Sequence, residues 1–320
     1  MNTNRFPIYS FTRQEKREEL IRFLKSDFRR GIRNGVVQQN NMLGLGLCWS
    51  YFPHSWHVRC GDRLTPMQVF SCHRDAAIGR RRAMGERCRT ESQFRKALRT
   101  YCGAQGVSGF RPAAALALYN RYLPLQGGIV YDPSCGWGGR LLGALCCRRV
   151  TRYVGTDPSS LTFQGLCAMR DELPYLMQMM GYPTPKVQLY NQGSEDLTLE
   201  PESVDLVLWS PPYSGHERYS DEKTQSAIRF PDNKSWMNGF MRQTLEHCRN
   251  ALKPGCWLVV NIADTDTYPS LTADFLALAK EMGFKLTETL QLALSKMIGL
   301  DKTESHKHEP VYALTKAGLQ

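Results

Sequence analysis

From residue 127 onward the chain alternates short apolar runs with longer amphipathic or polar stretches. The runs read as strands near 128–132 (GIVYD), 152–157 (RYVGTD), 186–190 (KVQLY), 204–209 (VDLVLW), 256–262 (CWLVVNI), 285–294 (KLTETLQLAL) and 310–315 (PVYALT). The first five are separated by helical or loop connections. Near-continuous apolar strands in that setting predict a parallel, doubly wound α/β sheet covered on both faces. Only IGLDKTESHKHE separates the last two, too short a stretch for a crossover helix, so the final pair is expected to be antiparallel.

The pattern before residue 127 is different. Leu20, Ile21, Leu24 and Phe28 recur at helical spacing and predict a helix over Arg13 to Arg30 with one packed face. The stretch from Gly44 to Phe70 is rich in aromatics, Gly and Pro and has no clean period, which predicts an irregular but packed segment. A second helix is expected from Ser92 to Tyr101, with Phe94, Ala97, Leu98 and Tyr101 inward. Arg95, Lys96 and Arg99 would then form a basic outer face. A third begins at Pro112, a favourable first-turn residue, and carries AAALALYNRY toward the first strand of the sheet.

Composition sharpens this division. The 320 residues, 42% hydrophobic and 22% charged, describe a globular chain rather than a disordered one. The formal charge is +11, from 41 Lys+Arg and 30 Asp+Glu. Residues 1–120 hold 21 basic and 8 acidic side chains, a net of +13, and the remainder holds 20 and 22, a net of −2. A basic region over 1–110, expected to contact a polyanion, thus precedes a second region over 111–320. No apolar run approaches the ~20 residues of a membrane span, and the first residues lack the succession of a secretory signal, so an intracellular, cytoplasmic protein is expected. Eleven cysteines, an odd number that includes the adjacent Cys146 and Cys147, suit a reducing compartment. Cys60, Cys72, His73 and Cys88 lack the short spacing of a structural zinc site, so no metal is expected.

Two turns carry the candidate chemistry. The first strand runs into Asp132-Pro133-Ser134-Cys135-Gly136-Trp137-Gly138-Gly139 and then a helix, the strand, Gly turn and helix arrangement that brings backbone and helix N–H groups close to a ligand. Asp157, followed by Pro158, ends the second strand 21 residues after Gly136, the spacing at which a carboxylate meets ribose hydroxyls. An acidic Asp132 disfavours a pyrophosphate and suits a cationic ligand carrying an amino group, features that S-adenosylmethionine combines. Glu195 and Asp196, after the third strand, are candidates for the adenine. The fourth strand ends in Ser210-Pro211-Pro212-Tyr213, where two prolines stop the ladder and hold a hydroxyl, a carbonyl and an aromatic ring at the ligand-binding edge of the sheet. Two acceptors there would orient an exocyclic amine, and Tyr213 would stack on its base.

These residues resemble the amino-group DNA methyltransferases that use S-adenosylmethionine. DPSCGWGGRLLGAL is similar to their cofactor loop, YVGTDP to their strand-2 acidic site and SPPY to their catalytic motif, and the run from Trp236 through LKPGCWLVVNIAD is similar to the helix and strand that follow. FRPAAALALYNRY resembles the segment over the methionine end of the cofactor, which implies Phe110, Arg111 and Pro112 as contacts. The resemblance covers about residues 108–316 and implies a Rossmann-like class I methyltransferase fold, a mostly parallel seven-stranded sheet with an antiparallel last strand. The first third also resembles a segment of phage-encoded methylase-like proteins.

The activity implied is methyl transfer to a DNA base, of the restriction-modification kind. Ser in the first motif position implies N4 of cytosine, with N6-adenine DNA, N2-guanine RNA and release-factor glutamine methyltransferases as alternatives. A catalytically inactive nucleic-acid-binding protein is the reading from another class. No target-reading insertion follows Tyr213, so the basic third, the loop Ser214 to Asp232, or both would hold the DNA or RNA. Candidate contacts there are Arg95, Lys96 and Arg99 on the helix and Glu217, Arg218, Tyr219 and Gln225 in the loop.

Overall fold

The computed structural model describes residues 3–26, 31–37, 42–214, 217–293 and 308–316. Seven strands form the centre of the main sheet: β1 (Gly128–Asp132), β2 (Val150–Thr156), β3 (Lys186–Tyr190), β4 (Val204–Trp209), β5 (Leu252–Asn261), β6 (Phe284–Ala293) and β7 (His308–Lys316). Across the sheet their order is β3-β2-β1-β4-β5-β7-β6. The first five run parallel, and β7 lies antiparallel between β5 and β6. This is the Rossmann-like, mostly parallel sheet with an antiparallel last strand that the sequence led us to expect. The chain leaves β1 toward β2 and β3 on one side and returns as β4 on the other. The carboxyl edge between β1 and β4 is therefore a topological switch point, where sheets of this kind hold ligands.

The longer helices are α1 (Arg13–Lys25), α2 (Pro66–Ala83), α3 (Glu91–Arg99), α4 (Pro112–Tyr122), α5 (Gly139–Leu145), α6 (Ser160–Gln178), α7 (Arg242–Ala251) and α8 (Leu271–Glu281). Apolar runs such as VDLVLW arise because both faces of the sheet are covered. All six residues of β4 are buried. Leu206 and Leu208 join the core beneath α4, α5 and α6, and Val207 and Trp209 join the core beneath α7 and α8.

The basic third does not stand apart from this architecture. Leu20 and Phe23 of α1, with Trp49 and Phe52, pack in the same core as Leu142 and Met169. A small hairpin (Ile32–Arg33 with Val36–Val37) extends the sheet beyond β6, Val36 pairing with Gln291. A satellite core of Phe6, Trp56, Val69, Phe94 and Leu98 lies beneath α2 and α3.

Three local expectations change. Helix α1 ends at Lys25, where Ser26 turns extended, and Phe28, Arg29 and Arg30 lie outside the described residues. Helix α2 was hidden because His73 breaks its regularity and Pro66 reads as a loop residue, although Thr65 and Gln68 form a capping box at its start. The loop Ser214 to Asp232 contains a two-residue ladder, Glu217–Arg218 against Arg59–Cys60, and a short helix over Ser226–Arg229. Among the described residues no helix is long and apolar enough to cross a membrane.

Candidate active site

β1 delivers Asp132 to the carboxyl edge, and the turn that follows is tied to the end of β2. The Cys135 N–H donates to the Thr156 carbonyl at 2.9 Å, and Thr156 Oγ1 donates to the Pro133 carbonyl at 2.7 Å. Gly136 and Gly138 adopt φ +52° and +70°, in the left-handed region that glycine enters without strain. Gly139 permits a close approach: a Cβ there would lie 1.8 Å from the Phe110 carbonyl oxygen, so glycine alone lets the segment before α4 rest on the start of α5.

The two acidic candidates have different environments. Asp157 accepts hydrogen bonds from the Gly136 N–H at 2.9 Å and the Ser159 N–H at 3.0 Å. Burial outweighs those bonds and pushes its carboxyl up to about 7. Asp132 is fully buried. It accepts from Arg140 Nε at 2.8 Å, the Tyr153 hydroxyl at 2.6 Å and the Ser134 N–H at 3.2 Å. The expectation that Asp132 meets a ligand's amino group is therefore corrected: Arg140 neutralises it, and it fixes the base of the turn.

β4 ends in the Ser-Pro-Pro-Tyr turn beside this loop. Ser134 Oγ donates to the Ser210 carbonyl at 3.0 Å and accepts from Trp209 Nε1 at 2.9 Å, so one hydroxyl joins the two turns. Beyond Tyr213 the backbone is secured by Ser214 Oγ to Asn233 Oδ1 at 2.8 Å and by Thr267 Oγ1 to the Ser214 carbonyl at 3.1 Å.

A cavity of about 720 Å³ opens above these turns. It is lined from the Gly turn by Pro133, Ser134, Gly136 and Gly139, and from β2 by Asp157 and Pro158. Glu195 lines it after β3, and Ser210, Pro211, Pro212 and Tyr213 after β4. Phe110, Arg111 and Tyr219 also reach it. Pro112, Asp132, Gly138, Asp196 and Arg218 are not among its lining residues. Pro112 starts α4 and Gly138 packs against Met169, where a Cβ would lie 2.4 Å from its sulfur. Asp196 pairs with Arg229, and the exposed Arg218 pairs with Asp221 at 2.8 Å.

The basic face of α3 is also corrected. Arg95 lies over the Tyr9 ring at 3.9 Å and donates to the Pro7 carbonyl at 2.8 Å. Arg99 lies over Trp49 and Trp56, donates to the Val107 carbonyl and is held below the ordinary arginine range by burial. Both arginines line the cavity, drawn inward by the Tyr9, Trp49 and Trp56 rings, whereas Lys96 borders the same cavity but stays exposed. The sequence did not single out Tyr9, Trp49, Arg140, Asn261 or Glu309, which line the same cavity. Trp137 was visible inside the Gly turn but not its ring contact with Tyr219, at 5.9 Å between centroids. Cys60 and Cys88 are buried, Cys72 is exposed, and His73 stacks on Tyr101.

No protein-family model matches this sequence, and no curated protein matches it. Among solved structures it is similar to a chain from the complex of the Haloferax volcanii Trm112 methyltransferase activator with a methyltransferase, at 15% identity and TM-score 0.43 over 64% of this chain and 88% of that one. It is similar to a SAM-dependent methyltransferase from Methanosarcina mazei at 13% identity and TM-score 0.40, over 62% and 97% of the two chains. It is also similar to the N-methyltransferase NodS from Bradyrhizobium japonicum WM9 at 11% and 0.40, over 63% and 94%. Likenesses this distant bear on neither substrate nor catalytic residues.

Proposed function

We propose that the protein transfers a methyl group from S-adenosylmethionine to an exocyclic amino group of a nucleic-acid base, with N4 of cytosine in DNA as the first expectation. The observation that carries this reading is the joining of the Gly turn to the Ser-Pro-Pro-Tyr turn through Ser134, with both opening into one cavity at the switch point.

The residues present fit the cofactor. A Cβ at Gly136 would meet nothing nearer than the Ser134 carbonyl at 3.9 Å, so the absence of a side chain there leaves room above the turn. Glu195, only 3% exposed, keeps one carboxylate oxygen, Oε2, without a hydrogen-bond partner among the described residues. Asp157 is the ribose contact, Glu195 the adenine contact, and Phe110 and Arg111 border the methionine end. Asp132 supports the site from beneath through Arg140. When bound, the cofactor supplies an electrophilic methyl on a sulfonium. The Ser210 hydroxyl and the Pro211 carbonyl accept the two amine hydrogens and so orient the nitrogen lone pair, while Tyr213 stacks on the base. Arg95, Lys96 and Arg99 make the cavity wall attractive to the phosphates that follow the base.

The test is to incubate the protein with methyl-labelled S-adenosylmethionine and DNA or RNA, digest the polymer, and identify the labelled nucleoside by mass spectrometry. N4-methylcytosine is expected from DNA; label in an RNA guanine would move the reading to the RNA alternative, and no label in either would favour a binding protein. Ser210→Ala and Tyr213→Ala should each reduce transfer at least about tenfold while leaving cofactor affinity unchanged. Full activity in both variants would remove the catalytic assignment.

A further inference from the structure

Gln225 belongs to the segment after the Ser-Pro-Pro-Tyr turn, and its position is set by bonds to the β2 and β3 side of the site. Thr224 Oγ1 donates to the Pro158 carbonyl at 3.0 Å, one residue beyond Asp157. Glu222 accepts from the Ser160 N–H and hydroxyl. One helical turn after Gln225, Arg229 donates to Glu195 Oε1 at 2.6 Å and also pairs with Asp196. The segment therefore spans from the acidic end of β2 to the turn after β3. Its anchors lie on the side of β1 away from the Ser-Pro-Pro-Tyr turn, in the half of the cavity lined by Asp157, Pro158 and Glu195.

Two buried polar atoms in that half are unsatisfied among the described residues: Glu195 Oε2, an acceptor, and Gln225 Nε2, a donor. The two side chains are 3% and 7% exposed, and both line the cavity. An unpaired buried donor and an unpaired buried acceptor each weaken the fold until a ligand supplies their complements. Arg229, one helical turn after Gln225, holds Glu195 on the same side of the cavity, and the complement of an acceptor and a donor lining one half of a cavity is a ligand edge carrying an amino group beside a ring nitrogen.

We propose that Glu195 and Gln225 together read the N6 and N1 edge of the cofactor's adenine, so that the segment 217–232 acts as the cover of the cofactor half of the site. This rests on the reading of the cofactor as S-adenosylmethionine. Glu195 accepts from the N6 amino group, and the Gln225 amide donates to N1. Gln225 is thereby moved from a contact of the target nucleotide to a contact of the cofactor. A cytosine edge offers the same donor and acceptor, but it has to lie against Ser210 and Tyr213 to react, whereas the segment carrying Gln225 is anchored to Pro158 through Thr224 and to Asp196 through Arg229.

The experiment is calorimetry with S-adenosylhomocysteine and with its hypoxanthine analogue, S-inosylhomocysteine, in the absence of nucleic acid. Hypoxanthine reverses the pattern, presenting an acceptor at position 6 and a donor at N1. The unaltered protein should bind the adenine form at least about tenfold more tightly, and Gln225→Leu should lose about tenfold of that affinity. The exchanged pair Glu195→Gln with Gln225→Glu keeps the charge and should reverse the preference toward hypoxanthine. If the exchanged protein does not fold, the preference of the unaltered protein and the Gln225→Leu loss still decide the matter. Binding of S-adenosylhomocysteine that is indifferent to Gln225→Leu would overturn the role of Gln225 and leave the cofactor reading standing. Failure of the unaltered protein to bind S-adenosylhomocysteine would overturn both.

Discussion

At Asp157 a carboxylate that would ordinarily titrate near 3.8 is pushed up to about 7, because burial costs its charge more than the Gly136 and Ser159 N–H groups return. The sign follows from linkage. A folded value above the unfolded one means that the fold prefers the protonated form, so this group's contribution to stability declines as pH rises from about 4 to about 7. Ribose hydroxyls, as donors, favour the ionised form, so binding releases a proton and tightens with rising pH. Affinity for S-adenosylhomocysteine should increase about tenfold between about pH 6 and pH 8, and Asp157→Asn should flatten the dependence. Calorimetry in buffers of different ionisation enthalpy measures both effects, and an affinity independent of pH would remove the ribose assignment. The chain order alone placed Asp157 in the site. It also nominated Asp132, but only the fold shows Arg140 and Tyr153 closing over that carboxylate, since their approach depends on α5 and β2 packing beneath the turn.

Helix α3 places its apolar and its basic side chains by different rules. Its inward apolar residues were readable, and Phe94, Ala97 and Leu98 are buried. Its arginines were not, because a long side chain goes where an aromatic face and a free carbonyl receive it, and those lie on Tyr9, Trp49, Pro7 and Val107, distant in sequence. The same helix therefore carries cations of two kinds. Lys96 is half exposed and pairs with Glu86, whereas Arg99 is partly buried against two tryptophans. Lys96→Ala should leave the urea midpoint unchanged and lower the salt slope of nucleic-acid binding by about one. Arg99→Ala should lower stability by about 2–3 kcal/mol, read as a shifted midpoint, because it removes packing as well as charge. Equal effects of the two variants on stability would contradict the burial difference. The segment after Tyr213 has a polar sequence that reads as a loop, yet its bonds to Pro158, Ser160 and Glu195 hold it against the cavity that Tyr219 and Gln225 line.

For the molecule as a whole, the excess of +13 in residues 1–120 suggests a grip on a polyanion. The fold joins that region to the rest: Leu20, Phe23, Trp49 and Phe52 share a core with Leu142 and Met169, and Tyr9, Trp49 and the α3 cations form a wall of the cavity. Removing residues 1–110 should expose apolar surface on α5 and α6, giving a fragment without a cooperative urea transition and without affinity for S-adenosylhomocysteine. A fragment that unfolds cooperatively and binds would show the first third to be dispensable for the site. The sequence by itself determined the parallel sheet, the antiparallel last strand and the two turns, because strand burial, Gly turns and a Pro-Pro stop are written in neighbouring residues. Only the tertiary structure decided which carboxylate faces the cavity, where the arginines of α3 go and where the segment after Tyr213 is anchored. Those outcomes depend on contacts between residues far apart in the chain, such as Asp132 with Arg140 and Tyr153, Arg99 with Trp49 and Thr224 with Pro158, and no local pattern encodes which pairs the fold brings together.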